Sequence, residues 1–371
     1  MNKLPKNWQE YKLKDLCVIN YGKGLGKSNI VNGNIPVYSS GGIIGFHNTY
    51  NVNSEGVIIG RKGNAGSVFY SDKPFFCIDT AFYIEPNNQY DLKYLFYKLV
   101  SMNLKNHKTG TAIPGLIRND IYKLSISIPP LDEQKRIASA LSKIDAYLEN
   151  TIKLIEEKER FKRGIAKKLL TCKEGENIPE ARFKDFEDEW ETKTLNSISN
   201  IKKGEQKNKL DLIADGKYPV LNGGMNFSGY CNSYNREANT ITISEGGNAG
   251  YVNFIKEKFW SSGHCYTLHD LKIDKYFLYQ CLKNSEKRLM KLQLGTALKN
   301  IRQSEIVEFE LNIPKSIKEQ EKIGGYLSLL DEEIDNLKKQ KELIKEMKRG
   351  AMQKLLSGEV RLSKNAFNEN I

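Results

Sequence analysis

Phosphate chemistry would be sought first at Gly22-Lys23-Gly24-Leu25-Gly26-Lys27-Ser28. A phosphate-cradling loop of the form GxxxxGK[ST] needs a glycine five residues before Gly26, and Tyr21 stands there. The corresponding place later in the chain reads Lys202-Lys203-Gly204-Glu205-Gln206, without Gly-Lys-Ser. Nucleotide binding is therefore set aside. Lys23 and Lys27, with Lys203 and Lys207 later, are read as cations on basic loops near phosphates. A second constellation, Arg61-Lys62-Gly63-Asn64, puts two cations and an amide in one turn. Its later counterpart, Glu245-Gly246-Gly247-Asn248, keeps glycine and amide and exchanges the charge. Arg and Asn side chains can bond bidentately to guanine and adenine edges, Lys favours phosphates, and a carboxylate such as Glu245 can accept from cytosine N4. Polar residues around two further loops complete the candidate set: Lys108, Thr109, Arg118 and Asn119 early, and Lys299, Asn300, Arg302 and Gln303 late. For any one of them a solvated loop is the plain alternative.

Catalytic sets are not found. The Asp/Asn-Pro-Pro-aromatic motif of adenine methyltransferases is missing, since Ile128-Pro129-Pro130-Leu131 lacks both flanking types. Glu10-Tyr11-Lys12 fits a loose nuclease ExK pattern that the later copy does not keep. The four histidines, 47, 107, 264 and 269, fit no HExxH or Ser/His/Asp logic. The six cysteines, at 17, 77, 172, 231, 265 and 281, form no CxxC pair and suit a reducing cytoplasm rather than a zinc site or disulfide framework. No catalytic residue, metal site or directly bound cofactor is expected. The chain opens without the apolar core of a signal peptide and has no membrane-length apolar run, so a cytoplasmic, non-membrane protein is expected. With 57 Lys+Arg against 45 Asp+Glu, its net charge of +12 favours a polyanionic partner, nucleic acid first.

These loops belong to a chain that repeats itself at an offset of about 182–186 residues. Trp8 and Leu13 return as Trp190 and Leu195, and Gly41-Gly42 as Gly223-Gly224. Gly63-Asn64-Ala65-Gly66 returns unchanged as Gly247-Asn248-Ala249-Gly250, and Glu133-Gln134 as Glu319-Gln320. Such a long period marks a duplicated module, each copy large enough for its own core. A duplicated binder suggests a target in two parts.

Each copy has two textures. Residues 1–130 and 190–315 carry short β-type runs, such as Val57-Ile58-Ile59, Ser67–Tyr70 and Leu124–Ile128, between turn signals. Leu16–Tyr21 also reads as strand-like, and a helix is expected over Tyr90–Met102. Residues 131–171 and 316–358 then read as long helices. Ile137, Leu141, Ile144, Leu148 and Ile155, with Thr151 in the gap, follow coiled-coil spacing; so do Ile323, Leu327, Leu330, Ile334, Leu337 and Ile344. Ser316 and Glu319 suggest a capping box. Residues 172–189 read as a polar linker and 359–371 as a tail. The expected fold class is α/β (α+β): two tandem mixed sheet-and-helix domains with two long helices packed on each other.

The order module, long helix, module, long helix resembles the specificity subunit of Type I restriction–modification systems. The likeness rests on Trp8-x-x-x-x-Leu13 and Trp190 with Leu195, on the helix start Ile128-Pro129-Pro130-Leu131-Asp132-Glu133-Gln134, and on the helix ends Arg163-Gly164 to Leu170 and Arg349-Gly350 to Leu356. The second helix start departs from the pattern, with Lys315 in place of the second proline. The resemblance implies two target-recognition domains, each reading half of a bipartite, asymmetric site in double-stranded DNA. It also implies an antiparallel helix pair in a pseudo-two-fold molecule, holding the domains apart and docking two modification (methyltransferase) subunits. A restriction (translocase/nuclease) subunit would join through that complex. S-adenosylmethionine, ATP and Mg²⁺ would enter only with the partners, and this chain would be non-catalytic. The rival is a coiled-coil scaffold, or a recombination-donor copy of such a subunit, that binds proteins rather than DNA.

Overall fold

The computed structural model describes residues 5–108, 115–295 and 299–362. The chain divides into two compact units. Residues up to Ile152 join those from Gln340 onward in the first, and Lys153–Lys339 form the second. Among the described residues no helix is long and apolar enough to cross a membrane.

The first module is built on β1 (Gln9–Lys12), β2 (Asn20–Tyr21), β3 (Ile35–Ser39), β4 (Gly42–His47), β5 (Gly56–Gly60), β6 (Val68–Ser71), β7 (Phe76–Cys77), β8 (Ala81–Ile84) and β9 (Ser125–Ile128). They form a four-stranded sheet in the order β2-β8-β5-β6, a three-stranded sheet β4-β3-β7, and the pair β1-β9. The second module uses β10 (Glu191–Thr194), β11 (Asn200–Lys203), β12 (Tyr218–Leu221), β13 (Gly229–Cys231), β14 (Thr240–Ser244), β15 (Val252–Ile255), β16 (Trp260–Ser261), β17 (Cys265–His269) and β18 (Glu310–Ile313). Its sheets run β11-β17-β14-β15, β13-β12-β16 and β10-β18, the same topology strand for strand. Even the parallel pairing is repeated, β3 with β7 and β12 with β16. The Gly56-Val57-Ile58-Ile59-Gly60 run is buried along its whole length, as is Thr240–Ser244. Covered on both faces, such central strands read as unbroken runs rather than alternation. The Leu16–Tyr21 expectation is corrected: a helical turn occupies Leu13–Leu16 and only Asn20–Tyr21 is strand.

A short helix caps each sheet, Leu92–Ser101 with Asp91 accepting from Tyr94 N at 2.8 Å, and Lys275–Asn284 with Asp274 accepting from Phe277 N at 2.7 Å. The long helices run Leu131–Leu170 and Ile317–Ser357, 40 and 41 residues, each about 60 Å at 1.5 Å per residue. Their Glu-Gln starts have a structural cause. Gln134 accepts from Asp91 N at 2.9 Å and donates to Pro129 O, tying helix start to helix start. Gln320 does the same with Asp274 N and Pro314 O. The capping box does not form: Glu319 turns its carboxylate to Arg182 instead.

Each unit takes the beginning of one long helix and the end of the other. In the first, Ile137 and Leu141 share a core with Tyr94, Leu95, Leu355 and Leu356. In the second, Ile323 and Leu327 share a core with Phe277, Ala166, Leu169 and Leu170. The seam is wider than expected: Ile137, Leu141, Ile323 and Leu327 meet residues of the other long helix and are also core residues of their modules. Ile144 and Leu330 are partly buried against those cores, Ile155, Ile334 and Ile344 are buried, and Leu148 and Leu337 are half-buried. Heptad spacing cannot distinguish a facing helix from a facing domain, since both need one apolar stripe. The helices run antiparallel in both units. Lys348 pairs with Asp145 at 2.5 Å in the first; Lys162 with Asp331 at 2.5 Å, Lys158 with Glu333 and Lys338 with Glu159 pair in the second.

Residues 172–189 are not a loose tether. Glu180 N donates to Thr171 O, Ala181 N to Lys168 O and Trp190 N to Asn177 O, and Ala181 and Phe183 pack on the second core. Arg182 meets Glu319 through two bonds of 2.8 Å, with Glu319 only 1% exposed. The start of the tail mirrors this in the first unit, where Arg361 grips Glu133. Arg182 also donates to Asp188 O and Arg361 to Lys6 O.

Candidate nucleic-acid interface

The Gly-Asn-Ala-Gly turns follow the central strands β5 and β14. Gly66 and Gly250 have φ of +83° and +86°. A Cβ there would stand 2.5 Å from Lys105 N and 2.9 Å from Met290 N, so backbone approach excludes a side chain. Ala65 and Ala249 are fully buried. Gly63 with Asn64, and Gly247 with Asn248, reach solvent at the tips. The Gly-Gly loops lie against them: a Cβ on Gly41 would come 3.2 Å from Asn64 Nδ2, and one on Gly224 3.7 Å from Asn248 Oδ1. The returning chain is fixed alike in both modules, by Leu116 N donating to Arg61 O at 2.8 Å and Ile301 N to Glu245 O at 2.9 Å. Separate repeated motifs thus converge on one place in each module.

On this frame the first module mounts a cation–aromatic cluster. The Arg61 guanidinium lies 4.9 Å from the Tyr21 ring centre, and Arg118 lies 4.7 Å from the same ring. Tyr21 meets Phe82 edge-on at 5.0 Å. Arg61 donates to Asp79 O and Arg118 to Ile19 O. Among the described residues Arg61 has no carboxylate partner. Cation–π contacts of this kind contribute about 0.5–1 kcal/mol at exposed sites.

The second module builds the same station with other side chains. Tyr21 pairs with Phe82 across β2–β8, and Lys203 pairs with Tyr266 across β11–β17. Gln303 donates to Ile201 O at 3.0 Å, as Arg118 does to Ile19 O. Lys203, Glu245, Tyr266 and Gln303 therefore occupy the places of Tyr21, Arg61, Phe82 and Arg118. Glu245 Oε1 accepts from Lys203 Nζ at 2.6 Å and from the Tyr266 hydroxyl at 2.9 Å. Burial first, then Glu245, pushes the Tyr266 pKa up and keeps it a donor. Glu245 Oε2 is enclosed without a hydrogen-bond donor, with the His264 imidazole 3.5 Å away. Glu245 is thus corrected as a reader of cytosine: its carboxylate faces its own module. The exposed group is Lys203, whose side chain is 49% accessible against 14% for Glu245.

The other candidates divide. Lys62 is exposed and bridged to Gly115, and Asn300 lies over Gly246, both beside the station. Asn119, Lys299 and Arg302 are exposed. Lys23 is exposed and bridged to Ile78. Lys207 is held apart from Glu245, 3.6 Å from the Trp260 ring centre and bonded to Ser233. Lys108 is exposed, while Thr109 and the Lys27 side chain lie outside the described residues. Tyr21 and Phe82 were missed. Aligning the repeats at β2 and β11 would have placed Tyr21 opposite Lys203.

Residues 5–157 and 187–346 each match the model of the type I restriction modification DNA specificity domain. The chain belongs to that family. A putative type I specificity subunit of Mycoplasma pneumoniae is 40% identical over 151 residues, 40% of this chain and 40% of its own. The match thus spans less than half of that relative. A type I restriction enzyme specificity subunit of Methanocaldococcus jannaschii is 27% identical over 347 residues, 85% of this chain and 81% of its own. The crystal structure of a type I specificity subunit from M. genitalium superposes with a TM-score of 0.74 at 23% identity, covering 95% of this chain and 97% of the other. That likeness establishes a shared fold. In this DNA specificity family member, each matched region takes in one module and continues into the long helix that follows it.

Proposed function

We propose that this chain is the sequence-recognising subunit of a type I restriction–modification complex, each module reading one half of a bipartite site in double-stranded DNA. The observation that carries this reading is the pair of stations: one backbone frame, held by matching bonds, bears Tyr21, Arg61 and Arg118 in one module and Lys203, Glu245 and Gln303 in the other. A shared scaffold with divergent polar tips suits two readers of different half-sites. The net charge of +12 fits a polyanionic target. The chain itself is non-catalytic on this reading. Two modification subunits dock on the long helices, with a restriction subunit joining through them, and S-adenosylmethionine, ATP and Mg²⁺ enter with those partners in the cytoplasm.

Selection from random duplexes tests this, using the full chain assembled with its modification subunit. The expected result is a motif of two short specified blocks around an unspecified gap, with binding that weakens steeply as salt rises. Recovery of no motif would favour a protein-binding scaffold.

A further inference from the structure

The two stations have exchanged the position of their cation rather than its presence. In the first module the aromatic is on β2, as Tyr21, and the cation follows β5, as Arg61. In the second the cation is on the equivalent of β2, as Lys203, and the residue after the central strand is its acidic anchor, Glu245. The Tyr21 ring, which Arg118 also approaches, orients Arg61, and an ion pair orients Lys203, so each station offers a positioned cation although the two stand on different strands of the frame. Lys203 is further placed by Tyr266, whose ring centre lies 5.9 Å from Nζ and whose hydroxyl shares the Glu245 oxygen.

We propose that Arg61 and Lys203 are the equivalent specificity-determining residues of the two modules, each contacting a guanine edge in its half-site, and that Glu245 is a positioning residue for Lys203. Arg and Lys donate to guanine O6 and N7, the major-groove acceptors that adenine cannot match with its N6 amine. Arg61 on its tyrosine stack presents a planar fork; Lys203 presents a point charge whose aim depends on Glu245. Glu245 reaches DNA only through Lys203, because its own oxygens are occupied or enclosed. This inference rests on the DNA-reading function proposed above.

The test repeats the duplex selection, followed by titrations on single-base variants of the selected site, for wild type, Arg61→Met, Arg61→Lys, Lys203→Met, Glu245→Gln and the Lys203→Met/Glu245→Gln double variant. Arg61→Met should lower the preference for one guanine in one half-site, on the order of tenfold to a hundredfold, and leave the other half-site intact. Arg61→Lys should retain part of it. Lys203→Met should do the same in the opposite half-site. Glu245→Gln should weaken that same guanine preference in the Lys203 background and add nothing to Lys203→Met, a non-additivity that a merely structural role would not give. Thermal unfolding of each variant keeps misfolding separate, and both cations are surface groups. Loss that is even across all sequences, with a shallower salt slope, would make them phosphate contacts and overturn the proposal; so would an unchanged motif. A wild-type complex that selects no motif would instead overturn the DNA-reading function itself.

Discussion

The first and second modules agree where the backbone is closely approached and differ most in the side chains of the two stations. Gly66 and Gly250, Gln134 and Gln320, Asp91 and Asp274 are the same residues in the same bonds. At the stations, in contrast, a guanidinium stacked on a phenol stands opposite an ammonium paired with a carboxylate. Even the two clasps diverge. In the second unit Trp190 Nε1 joins Arg182 on Glu319, at 3.3 Å. In the first unit Trp8 Nε1 is buried without a partner among the described residues, and Arg361 is 39% exposed where Arg182 is 12% exposed. Duplication preserved what steric and hydrogen-bond closure demand, and released what only a ligand would feel.

The largest expected effect concerns the shared cores. Leu141→Asn and Leu327→Asn each put an amide at a fully buried place and should destabilise by about 3–5 kcal/mol. Calorimetric unfolding of the full chain should show comparable losses, one in each unit. A near-neutral result at either position would break the equivalence of the two helix starts.

Somewhat smaller, and unequal, should be the clasps. Arg182→Ala strands the buried Glu319 carboxylate and should cost roughly 3 kcal/mol or more. Arg361→Ala strands Glu133, which is also buried, but should cost less, because water already reaches the guanidinium and screens the pair. Equal losses in a denaturant titration would contradict the asymmetry of the two sites.

The smallest effect depends on pH and has opposite signs in the two units. Burial lowers the Lys98 pKa to about 8 from an ordinary 10.5, while Nζ donates to Leu356 O at 2.7 Å. The folded form releases this proton before the unfolded chain does. The cost of burying the charge is thus present in full below pH 8, and stability should rise between pH 8 and 10.5. At the matching place in the second unit stands Cys281, whose thiol burial pushes well above 9. There the unfolded chain deprotonates first, so stability should fall as pH rises above 9. Urea midpoints of wild type against Lys98→Met and against Cys281→Ala isolate the two contributions. A gap that ignores pH for Lys98 would mean that its ammonium is solvated in the fold.

Much of this architecture was legible in the sequence, because repeated Gly, Gln and Trp positions record backbone constraints that any copy must meet. The long helices were equally plain from their spacing. Their mutual pairing was legible too, but not their second partner: Ile137 and Ile323 also face domain cores, and an apolar stripe at helical period carries no label for everything that covers it. The folded course of residues 172–189 was hidden by its polarity, since Arg182 and Phe183 gain their roles from Glu319 and the second core, far away in sequence. At the stations the turn residues Arg61 and Glu245 were visible, but Tyr21 looked like one strand residue among others. The role of Glu245 was misread, because a carboxylate that anchors a lysine and one that reads a base have the same letter.

Exchange of one module tests the separation of the two readers most directly. The region 1–130 would be replaced by the corresponding module of another DNA specificity family member, and the motif methylated by the assembled complex would be read by methylome sequencing. The predicted result is a new sequence in one half-site with the other half-site unchanged. A motif altered in both halves, or in neither, would contradict two independent readers on one duplicated frame.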